Sequence, residues 1–249
     1  MCCFSGRVEK VADTKIFARA SKDGRQYLVY SMKFKADDAV AMILPLPVPK
    51  EPKEDAVKFV NLEKYPDLFD DLRRGFPIPP SDAPPATRSG DKPLSAPPLK
   101  VEKVGSFEAS FVPTIKDFAR LDKRFRLPDD VWEKLGRYKD FGFAVFKLKA
   151  GEQKVHPMAF EFPRRDATKL FFPTVHIHDG KVHAKADFDH LLYCQVAEGQ
   201  SLPMFDWAES DSHAVNFVKI DKSQGIVEKN AHVYRRGMHG KLKNEDVLV

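Results

Sequence analysis

Apolar and polar positions along this chain repeat mostly with a period of two, the signature of strands whose opposite faces meet different surroundings. Residues 8–20 and 27–46 read as strands, and Asp23-Gly24 between them is a tight-turn signal. Inside the second stretch, residues 39–46 are almost continuously apolar, which predicts a strand buried on both faces. Pro45, Pro47 and Pro49 then end it, because proline donates no ladder hydrogen bond. Residues 141–149 and 155–162 alternate again around an Ala150-Gly151-Glu152 turn, and residues 214–220 and 225–234 predict one more hairpin turning at Ser223-Gln224-Gly225. Helical signals are few and short. Residues 67–74 follow Pro66 and stop at Gly75, as a surface helix would. Ile115, Phe118 and Leu121 have helical spacing within 114–125, and Pro128-Asp129-Asp130 opens an amphipathic turn that ends at Gly136. Phe118 and Trp132 read as core. The sum is an α+β fold, with antiparallel β-sheets predominating over a few short helices.

Residues 77–100 break this pattern, with eight prolines and no hydrophobic period. They predict an exposed connector, dispensable for folding, because such a composition cannot bury a core. It divides the chain into an N-terminal β-rich half, 1–76, and a C-terminal α+β half, 101–249. Val101-Glu102-Lys103-Val104 echoes Val8-Glu9-Lys10-Val11, and 154–162 loosely echoes the apolar strand near Met42, so the halves read as related.

Composition narrows the function classes. Hydrophobic residues make up 43% of the chain, enough for a substantial core, and the net charge of +5 comes from 41 basic and 36 acidic residues mixed along the sequence. No Lys/Arg block or aromatic-basic interleaving marks a nucleic-acid groove. No apolar run approaches the roughly 20 residues that span a bilayer. Arg7, Glu9, Lys10, Asp13, Lys15 and Arg19 interrupt the apolar core that a secretory signal needs, so a cytoplasmic location is expected. Three cysteines, two of them adjacent, make no disulfide framework and read as reduced thiols or ligands.

Candidate chemistry gathers in two places. Residues 171–195 hold His176, His178, His183, His190 and Cys194; a strand through Val175 and Ile177 puts His176 and His178 on one side. Asp179-Gly180 predicts a hairpin whose return strand brings His183 close, and His190 and Cys194, four apart, share a face. At the other end Cys2 and Cys3 form an adjacent thiol pair. Imidazoles and thiolates together suit a late first-row metal, copper ahead of zinc and iron, and imply a metal-dependent oxidoreductase using Cys2, Cys3, His176, His178, His183, His190 and Cys194. A second reading is a hydrolase or transferase with Cys2 or Cys3 as nucleophile, one of the four histidines as base, and Asp187 or Asp189 as the acid orienting it. A third is a non-catalytic β-rich binding module in which these side chains are structural. Against the site readings stand plainer ones: a polar strand edge for the histidines, a strand start for Cys2 and Cys3, a strand-end role for His156, and a solvated basic tail for 234–243. The substrate, small molecule or peptide, and the oligomeric state stay open.

Cys2-Cys3-Phe4, the Ile43-Leu44-Pro45-Leu46-Pro47-Val48-Pro49 segment, Pro128-Asp129-Asp130 and His156-Pro157-Met158-Ala159-Phe160-Glu161-Phe162 follow one another in an order that resembles a family of uncharacterised, mostly exported bacterial proteins with an N-terminal cysteine motif and a Leu-Pro-Val-Pro strand. The resemblance covers about two thirds of the chain and implies an element order and an interest in Cys2 and Cys3, but no activity. This chain departs from the family in lacking an export signal and in its histidine-rich 175–194 stretch. GxGxxG after a strand, GxxxxGK, HExxH and GxSxG are all missing, which disfavours dinucleotide enzymes, P-loop NTPases, the common zinc proteases and α/β-hydrolases.

Overall fold

The computed structural model describes residues 2–76, 101–127, 129–154, 156–177, 181–196 and 206–249. In chain order the strands are β1 (Cys2–Phe4), β2 (Lys10–Ala20), β3 (Arg25–Ala36), β4 (Val40–Leu46), β5 (Lys58–Asn61), β6 (Glu102–Val104), β7 (Phe107–Val112), β8 (Gly142–Leu148), β9 (Gly151–Lys154), β10 (Met158–Pro163), β11 (Phe171–Phe172), β12 (His176–Ile177), β13 (Lys185–Gln195), β14 (Ala208–Glu209), β15 (Tyr234–Lys243) and β16 (Val247–Leu248). The α-helices are α1 (Leu68–Arg74) and α2 (Asp129–Lys134). A first sheet runs β12-β1-β4-β8-β7-β6. A second runs β14-β15-β13-β2-β3-β10-β5, with β9 also on β3, and β11 pairs β16 apart from both. Antiparallel pairs dominate, as the alternation predicts; β1–β12 and β2–β13 are parallel. Strands from before and after residue 100 lie in both sheets. The connector 77–100 and the Asp179-Gly180 turn lie outside the described residues.

Alternation decides the layering. Even positions of β4 (Met42, Leu44, Leu46) and of β8 (Ala144, Phe146, Leu148) meet Leu28, Tyr30, Phe160 and Leu192 of the second sheet in one inter-sheet core. Odd positions Ile43, Phe143 and Val145 turn to the outer face of the first sheet, where Phe118, Trp132, Leu135 and Tyr138 cover them. On the outer face of the second sheet Phe17, Val29, Ala159 and Tyr193 lie under Leu68, Leu72, Ala214 and Val218. Every residue of β4 is therefore buried, as expected for a strand covered on both sides. Phe118 and Trp132 are core as predicted, their ring centroids 4.9 Å apart.

The turn at Asp23-Gly24 forms where its chemistry requires. Both residues take positive φ (57° and 69°), Arg25 N–H donates to Lys22 O at 3.1 Å, and β2 and β3 pair antiparallel through Ala20–Gln26. Other turn signals mark crossings between sheets instead of hairpins. Residues 27–46 form two strands, because exposed Asp37 and Asp38 cannot enter a core and the chain passes there from the second sheet to the first. Likewise β8 belongs to the first sheet while β9 and β10 belong to the second, so 141–162 is not a hairpin. Neither is 214–234: 3-10 turns at Ala214–Asn216 and Ile220–Ser223 cap the second sheet's outer face.

Residues 234–243, expected as a solvated tail, form β15, paired with β13 through ten registered residues. Its polar residues are strand residues with one solvated face: Arg235 sits over the Phe76 ring and Arg236 pairs with Asp206 at 2.7 Å. Helix α1 is also less superficial than expected, since Leu68, Phe69, Asp71 and Leu72 are buried. Buried Asp71 is matched by the Tyr65 hydroxyl at 2.7 Å, Arg74 at 2.5 Å and Lys219 at 3.5 Å. Gly75 ends α1 in a right-handed conformation (φ −67°), so its value is space: a Cβ there would meet the Phe217 ring at 2.5 Å. The segment 114–125 is 3-10, in two pieces, not an α-helix.

Candidate functional site

Residue 176 comes from the first sheet and residue 190 from the second, and their imidazoles meet between the two. Ile177 points outward with Cys3 and Val175, so its neighbour His176 must point inward. On β13, Phe188, Leu192 and Cys194 face the same inter-sheet core, so His190, in phase with them, does too. His176 Nε2 and His190 Nε2 stand 3.0 Å apart, His190 fully buried and His176 nearly so. Phe188 closes one side, with ring centroids 4.5 Å from His176 and 5.2 Å from His190.

The electrostatics follow from burial. His190 is pushed below the ordinary histidine range chiefly by desolvation, and the contact between the two Nε2 atoms needs one of them to donate and the other to accept. Asp189 Oδ1 lies 3.7 Å from His190 Nδ1, beyond hydrogen-bond reach, and that Nδ1 has no hydrogen-bond partner. The carboxylate nearby favours the tautomer with the proton on His190 Nδ1, leaving His190 Nε2 as acceptor for His176 Nε2–H.

Polar groups far along the chain hold the backbone and neighbours of both histidines. Asn244 Oδ1 accepts from His176 N–H at 2.7 Å while its Nδ2 donates to His176 O and His183 O, both at 3.0 Å. Asp246 Oδ1 accepts from the Thr174 and Val175 N–H groups at 2.9 and 3.2 Å, and its Oδ2 accepts from the Tyr138 hydroxyl at 2.6 Å. On the other sheet a bulge in β2 puts Asp13 at φ 56°, and its N–H donates to Asp189 Oδ2 at 2.6 Å, holding that carboxylate beside His190. Next to the bulge, Thr14 is the register partner of His190 on one side and Met238 on the other, both buried. Thr14 Oγ1 likewise has no hydrogen-bond partner.

The remaining candidates are placed as follows. Cys2 is the ladder partner of His176, so the chain's first strand and the histidine segment lie side by side, as the metal and nucleophile readings both require. Cys3 is buried on the opposite, outer face of the first sheet. Cys194 shares the face of His190 but lies four residues along the strand, roughly 13 Å away, and burial pushes its thiol up. His183 is exposed and lies before β13 begins, and β12 and β13 belong to different sheets, so the expected His hairpin does not form. Asp187 is exposed on β13. His178 lies outside the described residues. Among the described residues no three His, Cys, Asp or Glu side chains gather as metal ligands do. His156 is the strand-end residue expected: its ring stacks 4.0 Å from Phe107, and Nε2 accepts from Ser106 N–H at 3.2 Å. Asn244, Asp246, Asp13 and Met238 carried no sequence signal, since each matters through a partner more than 45 residues away, and Phe188 carried none because it meets His176 across the two sheets.

A surface depression of about 150 Å³ over Phe141, Phe171 and Leu248, rimmed by Arg164, Arg165 and Lys169, is smaller than the roughly 300–1,000 Å³ of small-molecule sites. No helix among the described residues is long and apolar enough to cross a membrane.

Two face-packed sheets with covered outer faces and a polar pair buried between them define a β-rich scaffold. That scaffold has a counterpart among solved structures. The crystal structure of baculovirus P35 matches at a TM-score of 0.53 and 15% identity over 99% of this chain and 98% of that one. P35 in the caspase-8/P35 complex matches at 0.50 and 15% identity over 95% of each chain. At such identity the likeness is one of fold. No protein-family model matches the chain, and no curated protein does.

Proposed function

We propose that this chain is a non-catalytic β-rich binding module whose ligand is another protein, and that a cysteine protease of the caspase class is that partner. The observation that supports this reading is the end-to-end fold likeness to P35, one of whose matching structures is a complex with caspase-8. Of the three functions the sequence leaves open, this likeness favours the third. A buried imidazole pair packed against Phe188 agrees with a structural role, because a general base needs access to its substrate's proton.

The test is to incubate the full chain with initiator and effector caspases and follow hydrolysis of an aspartyl fluorogenic peptide, with size-exclusion chromatography and intact mass on the mixture. Loss of peptidase activity near one equivalent, with a co-eluting complex, supports the reading, and mass spectrometry locates any cut. Unchanged hydrolysis with no complex at tens of micromolar, across both caspase types, overturns it.

A further inference from the structure

We propose that the His176–His190 pair is a monovalent copper site built between the two sheets, with Met238 as the third donor. The proposal stands on this juxtaposition and does not depend on the protein-binding reading. Two imidazole nitrogens bound to one ion at about 2.0–2.1 Å stand roughly 3.3 Å apart at a tetrahedral angle. The Nε2 atoms are 3.0 Å apart, so a shift of a few tenths of an ångström admits the ion. Met238 is the direct cross-strand neighbour of His190 and is buried, which brings a thioether to the same face of the second sheet.

The surroundings choose the metal. Phe188, Leu192 and Met238 belong to the apolar core that holds the pair, and the carboxylate beside it among the described residues, Asp189, stands behind the ring at 3.7 Å from His190 Nδ1. Burying a divalent ion against neutral ligands costs far more than burying a monovalent one. Imidazole with thioether is a soft set that Cu(I) accepts at low coordination number. Asp189 has the place of the outer carboxylate that orients a ligating histidine through its other ring nitrogen, and the Asp13 N–H in the β2 bulge fixes it there. It would complete the hydrogen bond that His190 Nδ1 lacks. Binding requires His176 to present its Nε2 lone pair, hence to hold its proton on Nδ1. With one proton on each ring before and after, none is released.

The test uses the full chain without an affinity tag, reduced and metal-free, titrated with Cu(I) anaerobically against bicinchoninate. One equivalent should be withdrawn from the chelator. Asp189→Asn should weaken binding about 10-fold, and His176→Gln and His190→Gln about 100-fold or more. Met238→Leu, which keeps the packing volume, should weaken Cu(I) selectively while leaving Zn(II) affinity unchanged. Because a histidine variant can fail to fold, long-range proton–nitrogen NMR of the parent protein decides independently: Cu(I) is diamagnetic, and both Nε2 resonances should move together. No Cu(I) taken from the chelator, or binding that leaves those two resonances in place, overturns the proposal. So does undiminished binding in both folded histidine variants.

Discussion

The space between the sheets is filled in two different ways. In one region aromatic rings do all the work: Phe146 meets Phe59 and Phe107 edge-on at 5.6 and 6.2 Å, and Phe160 joins at 5.9 Å. In the other, two imidazoles touch through a hydrogen bond, and Asn244, Asp246 and the Asp13–Asp189 contact hold their backbones and neighbours. The aromatic region needs only shape and tolerates any filling of similar volume. The histidine region is less tolerant: His190 Nδ1 and Thr14 Oγ1 are already buried without a hydrogen-bond partner, and each further polar atom left unmatched there costs about 1–3 kcal/mol. Such a region contributes less to stability than the same volume of hydrocarbon, but it fixes which strand ends face each other.

Four measurements probe that contrast. Phe146→Ala empties the centre of the aromatic region and should cost about 3–5 kcal/mol in denaturant unfolding; a loss under 1 kcal/mol would mean that the two sheets do not depend on this packing. His190→Leu removes one end of the imidazole hydrogen bond and should cost about 1–3 kcal/mol, whereas His176→Leu/His190→Leu, which replaces both ends, should recover most of it. A double variant as unstable as the sum of its parts would show that the pair is not a unit. Asn244→Ala should cost about 1–2 kcal/mol and speed amide exchange at His176 before it does at Phe160; uniform exchange would deny the clamp its local role.

The smallest effect expected is one of pH. Burial pushes His156 below its usual value of 6.5, so the unfolded chain takes up a proton that the folded ring refuses. Its contribution to stability is complete above pH 6.5 and is lost as the pH falls from there through the lower folded value. Urea midpoints at pH 7.5 and 5.5 should therefore differ, and His156→Phe, which keeps a ring on Phe107, should narrow the gap. An unchanged gap would assign the acid sensitivity elsewhere.

Local chemistry was legible in the sequence where a structure depends on neighbours in the chain. Asp23-Gly24 announces its turn because few residues accept positive φ, and the apolar run in β4 announces burial on both faces. What alternation cannot say is which sheet a strand joins. Ala150-Gly151 reads like a hairpin turn and Asp37-Asp38 like the interior of one long strand, and both carry the chain from one sheet to the other. The histidines were visible as a cluster and His176 and His190 do meet, but they do so across the inter-sheet core rather than around Asp179-Gly180. Asn244 and Asp246 were invisible for the same reason, since their partners at Thr174, Val175 and His176 lie about 70 residues earlier. The ladder between Cys2 and His176 joins positions that no local pattern could connect.

That last pairing sets a clock for folding on the ribosome. β1 is held on one side by β4 and on the other by β12, so one edge of the first residues stays open until residues 176 and 177 have been made. At roughly 5–20 residues per second, the interval from Cys3 to Ile177 is about 9–35 s. The parallel ladder between β2 and β13 needs residues 190–195 and closes later still. Neither sheet can therefore be finished from its N-terminal strands alone, and for that interval both offer unpaired edges to any other strand in reach. Slow translation lengthens this exposure.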